Sequence, residues 1–216
     1  MKIENVGGKN TPRPLQITGT SIKAGIGGSD IGSKVTDLTF TNKQGEHYLS
    51  LKFGNTVTFY NGGVVTILGR QQFFKPDGKI PSSGLAVLNM FGIDVGLFKE
   101  IFYAYDKNRK TGSKKIIKRV KSNKALGEFA RTVVGYGYHL VHKMNSGVIH
   151  YEQITRNNYG NYADPVGDIE IIYPEPGTAK RIDMKVKTRK MEITYNIRNK
   201  QGGIYPSHIM ADYTMI

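Results

Sequence analysis

Hydrophobic and polar positions change rhythm twice along the chain. Over residues 14–75 the apolar residues come in short runs, LQITGTSIKA, VTDLTFT, HYLSLKF and TVTFY. Each run is β-branched or aromatic and bounded by Gly or Asn, which predicts strands. Over residues 82–144 the spacing turns helical. SSGLAVLNMFGIDVGLFKEIFYAYD offers a serine at an N-cap position ahead of a largely apolar run, with Gly92 and Gly96 as candidate breaks. SNKALGEFARTVVGYGYHLVHKM places Leu126, Phe129, Ala130, Val133, Gly137, Leu140, Val141 and Met144 on one helical face, predicting a helix that packs that stripe on the core. From residue 146 alternation returns. In RKMEITYNIR, Met191, Ile193, Tyr195 and Ile197 alternate with Lys190, Glu192, Thr194, Asn196 and Arg198, one dry face and one wet, and KRIDMKVK does the same just upstream.

Strand-rich, helical, strand-rich is the order of an α/β (α+β) chain. The expectation is a mixed β-sheet core flanked by two or more helices, with a C-terminal antiparallel β region. Residues 1–80, 81–145 and 146–216 form the three zones, expected to close into one compact domain, and 216 residues suffice to bury a real core. The 26 glycines fit the many turns such a chain needs.

Charge changes the picture more than composition does. Thirty-one Lys and Arg against 17 Asp and Glu leave a net +14, which points to a polyanionic partner, nucleic acid ahead of a membrane surface. Nine of those cations fall within residues 107–124, with no acid among them: Lys107, Arg109, Lys110, Lys114, Lys115, Lys118, Arg119, Lys121 and Lys124. Such a run predicts a loop or helix end that tracks a phosphate backbone without reading bases. With no cysteine, disulfides, thiolate metal sites and a cysteine nucleophile are excluded. The first residues lack the apolar run of a signal peptide, and the apolar stretch 84–104 carries Asp94, Lys99 and Glu100, which favours a buried helix over a membrane span. A soluble, cytoplasmic protein with no membrane partner is the expectation.

One stretch carries candidate chemistry. In VTDLTFTNKQGEHYLSLKF, Asp37 shares a face with Thr39 and Thr41, while Ser50 and Lys52 share a face with Tyr48. If Thr41 pairs with Glu46, Asp37 lies across from Ser50 and Lys52 sits on the diagonal. An aspartate on one strand with Ser-x-Lys on the next resembles the PD-(D/E)xK restriction-endonuclease-like superfamily, and SLKFGNTVTF resembles phage-encoded variants of it. The resemblance covers about 40 residues at most, with its motifs within 35–59. It implies a Mg²⁺-dependent endonuclease acting on DNA in a bacterial host cytoplasm. Asp37 would hold the metal, Ser50 would stand where the family has an acid, and Lys52 would act on water or phosphate, with Asn55 helping to position the nucleic-acid backbone. The replacement carboxylate is expected from a helix, Glu100 or Glu128 being candidates, since Glu46 lies about 13 Å along the strand. The alternatives remain open: an exposed hairpin with an Asp–Lys ion pair, DNA binding without cleavage, or a virion or assembly protein that contacts nucleic acid.

Three further motifs compete. GGSDIGSK, residues 27–34, approaches a phosphate-binding loop but swaps its last two residues and expects a strand, not a helix, to follow. Asp168 with Asp183-x-Lys185 offers a second acid set, set against a reading as a solvated row of charges from Arg181 to Lys187. His139 and His142, three apart on the expected helix, could share a metal, though without an acidic partner exposed or capping histidines fit better.

Overall fold

The computed structural model describes residues 2–5, 15–18, 21–24, 32–69, 71–103, 115–175, 181–199 and 206–216. In chain order the first elements are β1 (Lys2–Asn5), β2 (Leu15–Thr18), β3 (Ser21–Ala24), α1 (Gly32–Val35), β4 (Leu38–Asn42), β5 (Gly45–Phe53), β6 (Val57–Gly63) and α2 (Val64–Ile67). The helical middle holds α3 (Ser82–Phe91), α4 (Val95–Phe102), β7 (Lys115–Lys121) and α5 (Lys124–Val134). The remainder is β8 (Tyr138–Lys143), β9 (Ile149–Ile154), α6 (Gly160–Ala163), β10 (Asp168–Pro174), β11 (Arg181–Lys187), β12 (Met191–Arg198) and β13 (His208–Met215).

Two sheets carry the fold, and a separate hairpin pairs β2 with β3. The five-stranded sheet runs β1-β4-β5-β8-β9, antiparallel except where β5 and β8 lie parallel. The six-stranded sheet runs β6-β13-β12-β11-β10-β7 and is antiparallel throughout. This is the α+β architecture the sequence pattern predicts, a mixed sheet with helices and an antiparallel C-terminal region. The hairpin register is also as expected: Thr41 pairs with Glu46, and the turn tightens to Lys43 and Gln44 because Asn42 pairs with Gly45.

The core lies between the inner face of the six-stranded sheet and the helices. Met191, Ile193, Tyr195 and Ile197 of β12 are wholly buried, as their alternation requires. Rings of Phe91, Phe129 and Tyr195, from α3, α5 and β12, meet at centroid separations of 5.4–5.5 Å. Each such side chain contributes about 1.5–3 kcal/mol by leaving water. The two sheets touch where the ring of His142 meets the edge of Tyr213, 5.3 Å between centroids.

The apolar stripe from Leu126 to Met144 does not form one helix. Leu126, Phe129, Ala130 and Val133 are buried on α5, which stops at Gly135 (φ 57°). Gly137 (φ 91°) then turns the chain into β8. Both glycines occupy left-handed backbone that other residues resist. Upstream, Gly92 breaks the helix as expected, in a left-handed cap with φ 70° between α3 and α4. Gly96 does not; it continues α4, whose first turn is capped by the Asp94 carboxylate accepting from Leu97 N at 3.1 Å.

The basic run differs most from expectation. Residues 115–121 are neither loop nor helix end but strand β7, at the rim of the six-stranded sheet. Lysines on a rim strand discourage pairing with a second chain. Lys107, Arg109, Lys110 and Lys114 lie outside the described residues. No described helix is long and apolar enough to cross a membrane.

Candidate functional site

Asp37 sits one residue before β4, where the strand pairing with β5 ends at Leu38 and Leu49. Its amide donates to Leu49 O at 2.7 Å, and its carboxylate Oδ2 accepts from Leu51 N at 2.7 Å. The carboxylate therefore takes the next β5 amide, which the departing strand no longer serves. Thr36 Oγ1 reinforces the bend by donating towards the Leu38 and Leu49 carbonyls. Ser50 is 2% exposed and faces the interior beside Leu140. Lys52 is half-buried and registers against His142, itself fully buried.

Ser50, Leu140 and Glu152 form one row across β5, β8 and β9, while the Asp37 amide bonds the Leu49 carbonyl, so the expected Asp37–Ser50 pairing does not extend the β4–β5 register. Glu152 is the acid sequence reasoning did not single out. It lies two strands from Ser50, about 9–10 Å at the usual strand spacing, with buried Leu140 between. Its Oε2 accepts from Tyr162 OH at 2.5 Å and its Oε1 meets Lys190 Nζ at 3.6 Å, so its oxygens are engaged. Burial and this carboxylate push the Tyr162 hydroxyl pKa well up. The earlier acid candidates are dispersed: Glu46 accepts from Tyr48 OH at 2.6 Å, Glu128 lies 3.9 Å from Lys124, and Glu100 is exposed on α4. A magnesium ion takes about six oxygens in an octahedron. Such an ion commonly keeps several waters and needs only one or two carboxylates from the protein, and among the described residues no three His, Asp or Glu side chains converge as ligands. Asn55 accepts from Asn145 N at 3.1 Å, tying the β5–β6 turn to the β8–β9 turn.

The rival acid set disperses along the six-stranded sheet. Asp168 pairs with Lys121 at 2.9 Å, Asp183 with Arg181 at 2.5 Å, and Lys185 stands opposite Glu170. Asp183 lies across from Ile172, four residues along β10 from Asp168, or about 13 Å. These are neighbours on a partly exposed sheet face, on which Asn196, expected on the wet side, is wholly buried across from Asp183. Two more β7 cations are matched in the same way by acids from other elements, Lys118 by Asp94 at 2.8 Å and Arg119 by Glu170 at 3.5 Å, while Lys115 has no acid partner among the described residues. Their surplus charge, conspicuous in the sequence, is largely answered in space. Residues 27–31 of the phosphate-loop-like motif lie outside the described residues; Gly32 begins a single helical turn, α1, and a strand follows.

His139 and His142 belong to β8 and point to opposite faces, so they cannot share a metal. His142 Nε2 donates to Gly54 O at 2.5 Å inside the molecule. His139 joins the outer face of the five-stranded sheet, where Phe40 stacks on His47 at 4.6 Å and His139 Nδ1 is hydrogen-bonded to Tyr151 OH at 2.7 Å. Partial burial, then the charge of His47, holds the His139 pKa below its ordinary value. Phe53 (69% exposed), Ile149 and Tyr151 (each 61%) extend this apolar face towards β9, the rim strand.

A polar cleft of about 530 Å³ opens at the end of α5, lined by Arg131, Arg156, Arg189, Asn157, Asn161 and Asp164 among others. Its residues come from α5, the turn after β9, α6 and the β11–β12 turn, and no spacing in the sequence links them. Arg131 grips Asp164 with two parallel bonds, Nε to Oδ1 at 2.6 Å and Nη2 to Oδ2 at 2.7 Å. That pairing holds the Arg131 pKa above its ordinary value.

No family model matches this chain, and no curated protein or solved structure is significantly similar to it.

Proposed function

We propose that the chain binds nucleic acid, DNA in the first instance, as a restriction-endonuclease-like protein whose strand-borne site does not cut. The observation that carries the reading is the net +14 of a chain with 31 basic residues. The position of Asp37 just before β4, its carboxylate bonded to the amide of Leu51 within Ser50-Leu51-Lys52 on the adjoining β5, supports the descent. The commitment of Asp37 to the Leu51 amide and the burial of Ser50 support binding over cleavage.

A band-shift titration beside a plasmid-nicking assay, with Mg²⁺ or Mn²⁺ against EDTA, tests both halves. A salt-sensitive shift without nicking is the expected result. Metal-dependent nicking that Asp37→Ala or Lys52→Ala abolishes would restore the nuclease reading, with Mg²⁺ as its cofactor. Absence of any shift at low salt would remove the nucleic-acid reading itself.

A second reading, an assembly protein that contacts nucleic acid, is favoured by the exposed Phe53, Ile149 and Tyr151 on one sheet face. It expects a discrete multimer by light scattering at rising protein concentration.

A further inference from the structure

We infer that the arginine-lined cleft at the end of α5 is an oxyanion site for the phosphate backbone of a nucleic-acid strand, with Arg156 and Arg189 as its contact residues and Arg131 as a held positioning residue. The inference rests on the nucleic-acid reading above and gives it a location.

Three guanidinium groups and one carboxylate share the cleft. The Arg131–Asp164 fork cancels one positive charge and fixes that guanidinium, whose face lies 5.6 Å from the Tyr159 ring. The seat of the fork is shaped by a missing side chain: a Cβ at Gly160 would lie 2.8 Å from Asp164 Oδ2. Arg189 bonds the neutral Asn161 Oδ1 at 3.3 Å, and Arg156 is exposed in the turn after β9. Neither has an acid partner among the described residues, so two of the three charges are left over. Two uncompensated cations lining one concavity repel each other until an anion enters. The planar guanidinium fork matches phosphate oxygens in geometry as well as charge. Lys118, Arg119 and Lys121 of β7, by contrast, have acids of their own.

The test is fluorescence anisotropy with labelled single- and double-stranded oligonucleotides over a salt series. Comparison is between the intact chain, Arg156→Ala/Arg189→Ala, and a control, Lys43→Ala/Lys99→Ala, which removes two exposed lysines from the β4–β5 turn and α4. Each phosphate contact contributes about 0.7 to the slope of log K against log salt on single strands and about 0.9 on duplex. The arginine pair is expected to flatten the slope by roughly 1.4 or 1.8, and the lysine control to leave it unchanged. An equal flattening in the control, or none in the arginine pair, overturns the site while leaving general binding intact. Inorganic phosphate or a mononucleotide that binds as tightly as the oligonucleotide also overturns it, in favour of a small-ligand pocket. If the intact chain binds no oligonucleotide, the underlying nucleic-acid reading is what fails.

Discussion

Asp37 shows how one residue can satisfy a catalytic pattern and a structural need at once. Its carboxylate accepts the Leu51 amide at a point where β4 has ended and no carbonyl replaces it. An amide left without an acceptor costs about 1–3 kcal/mol. Asp37→Ala is therefore expected to lower stability by that order, while Asp37→Asn, which keeps an acceptor oxygen, loses less than half as much. Urea midpoints of the two variants check this. Equal losses would mean that the negative charge, not the acceptor, is what matters at this position. The same experiment separates folding from chemistry in any cleavage assay, because Asp37→Asn should remain folded.

Between elements, the junction of α3, α4 and β7 holds the clearest dependence on pH. Asp94 caps α4 and also meets Lys118 of β7. The Lys118 ammonium first, then the Leu97 amide, hold the Asp94 carboxyl below its ordinary value. Its contribution is thus complete above the unfolded carboxyl pKa, near 3.8, and is lost as pH falls through the lowered folded value. Lys118, raised by the same bond, keeps its share until pH climbs past the ordinary lysine value. Both side chains are about two-fifths exposed, so solvent screens the ion pair and the cap provides most of the effect. Asp94→Ala should cost about 1 kcal/mol at neutral pH. Thermal melts from pH 7 to pH 2 should show the gap from the parent closing in the acid range.

Elements were legible where one periodicity acted alone. Alternation in 181–187 and 191–198 marks β11 and β12 because every second residue meets the core. Residues 124–144 mislead because Gly137, Leu140, Val141 and Met144 continue the helical spacing of α5, whereas the strand buries Tyr138, Leu140 and His142 instead. Only the backbone at Gly135 and Gly137 decides between them. In β7 the alternation of Ile116, Lys118 and Val120 is hidden, since the half-exposed Lys118 stands on that face, held by Asp94 and beside the Tyr173 ring. The Thr41–Glu46 register was readable from the turn, but not the burial of Ser50, which depends on Leu140 of β8 arriving from 90 residues along the chain.

On the scale of the whole molecule, sequence carries least about sites built from distant segments. Arg131, Arg156 and Arg189 converge only because α5, β9 and β11 end near one another. Such long-range closure also sets the pace of folding. The parallel β5–β8 pair and the β6–β13 pair both wait on large loops, and non-local pairing of this kind places refolding in the millisecond-to-second range. Stopped-flow tyrosine fluorescence, with 13 tyrosines and no tryptophan to dominate the signal, measures it. Relaxation in tens of microseconds would contradict this topology.

The hydrogen bond from Thr58 to Asp212 spans 154 positions. At roughly 5–20 residues per second of synthesis, the strand bearing Thr58 leaves the ribosome about 8–30 seconds before its neighbour exists. For that interval its hydrogen-bonding groups face water, with no partner strand to take them. Slowing translation late in the message is expected to lower the soluble yield, measured as the soluble fraction on expression.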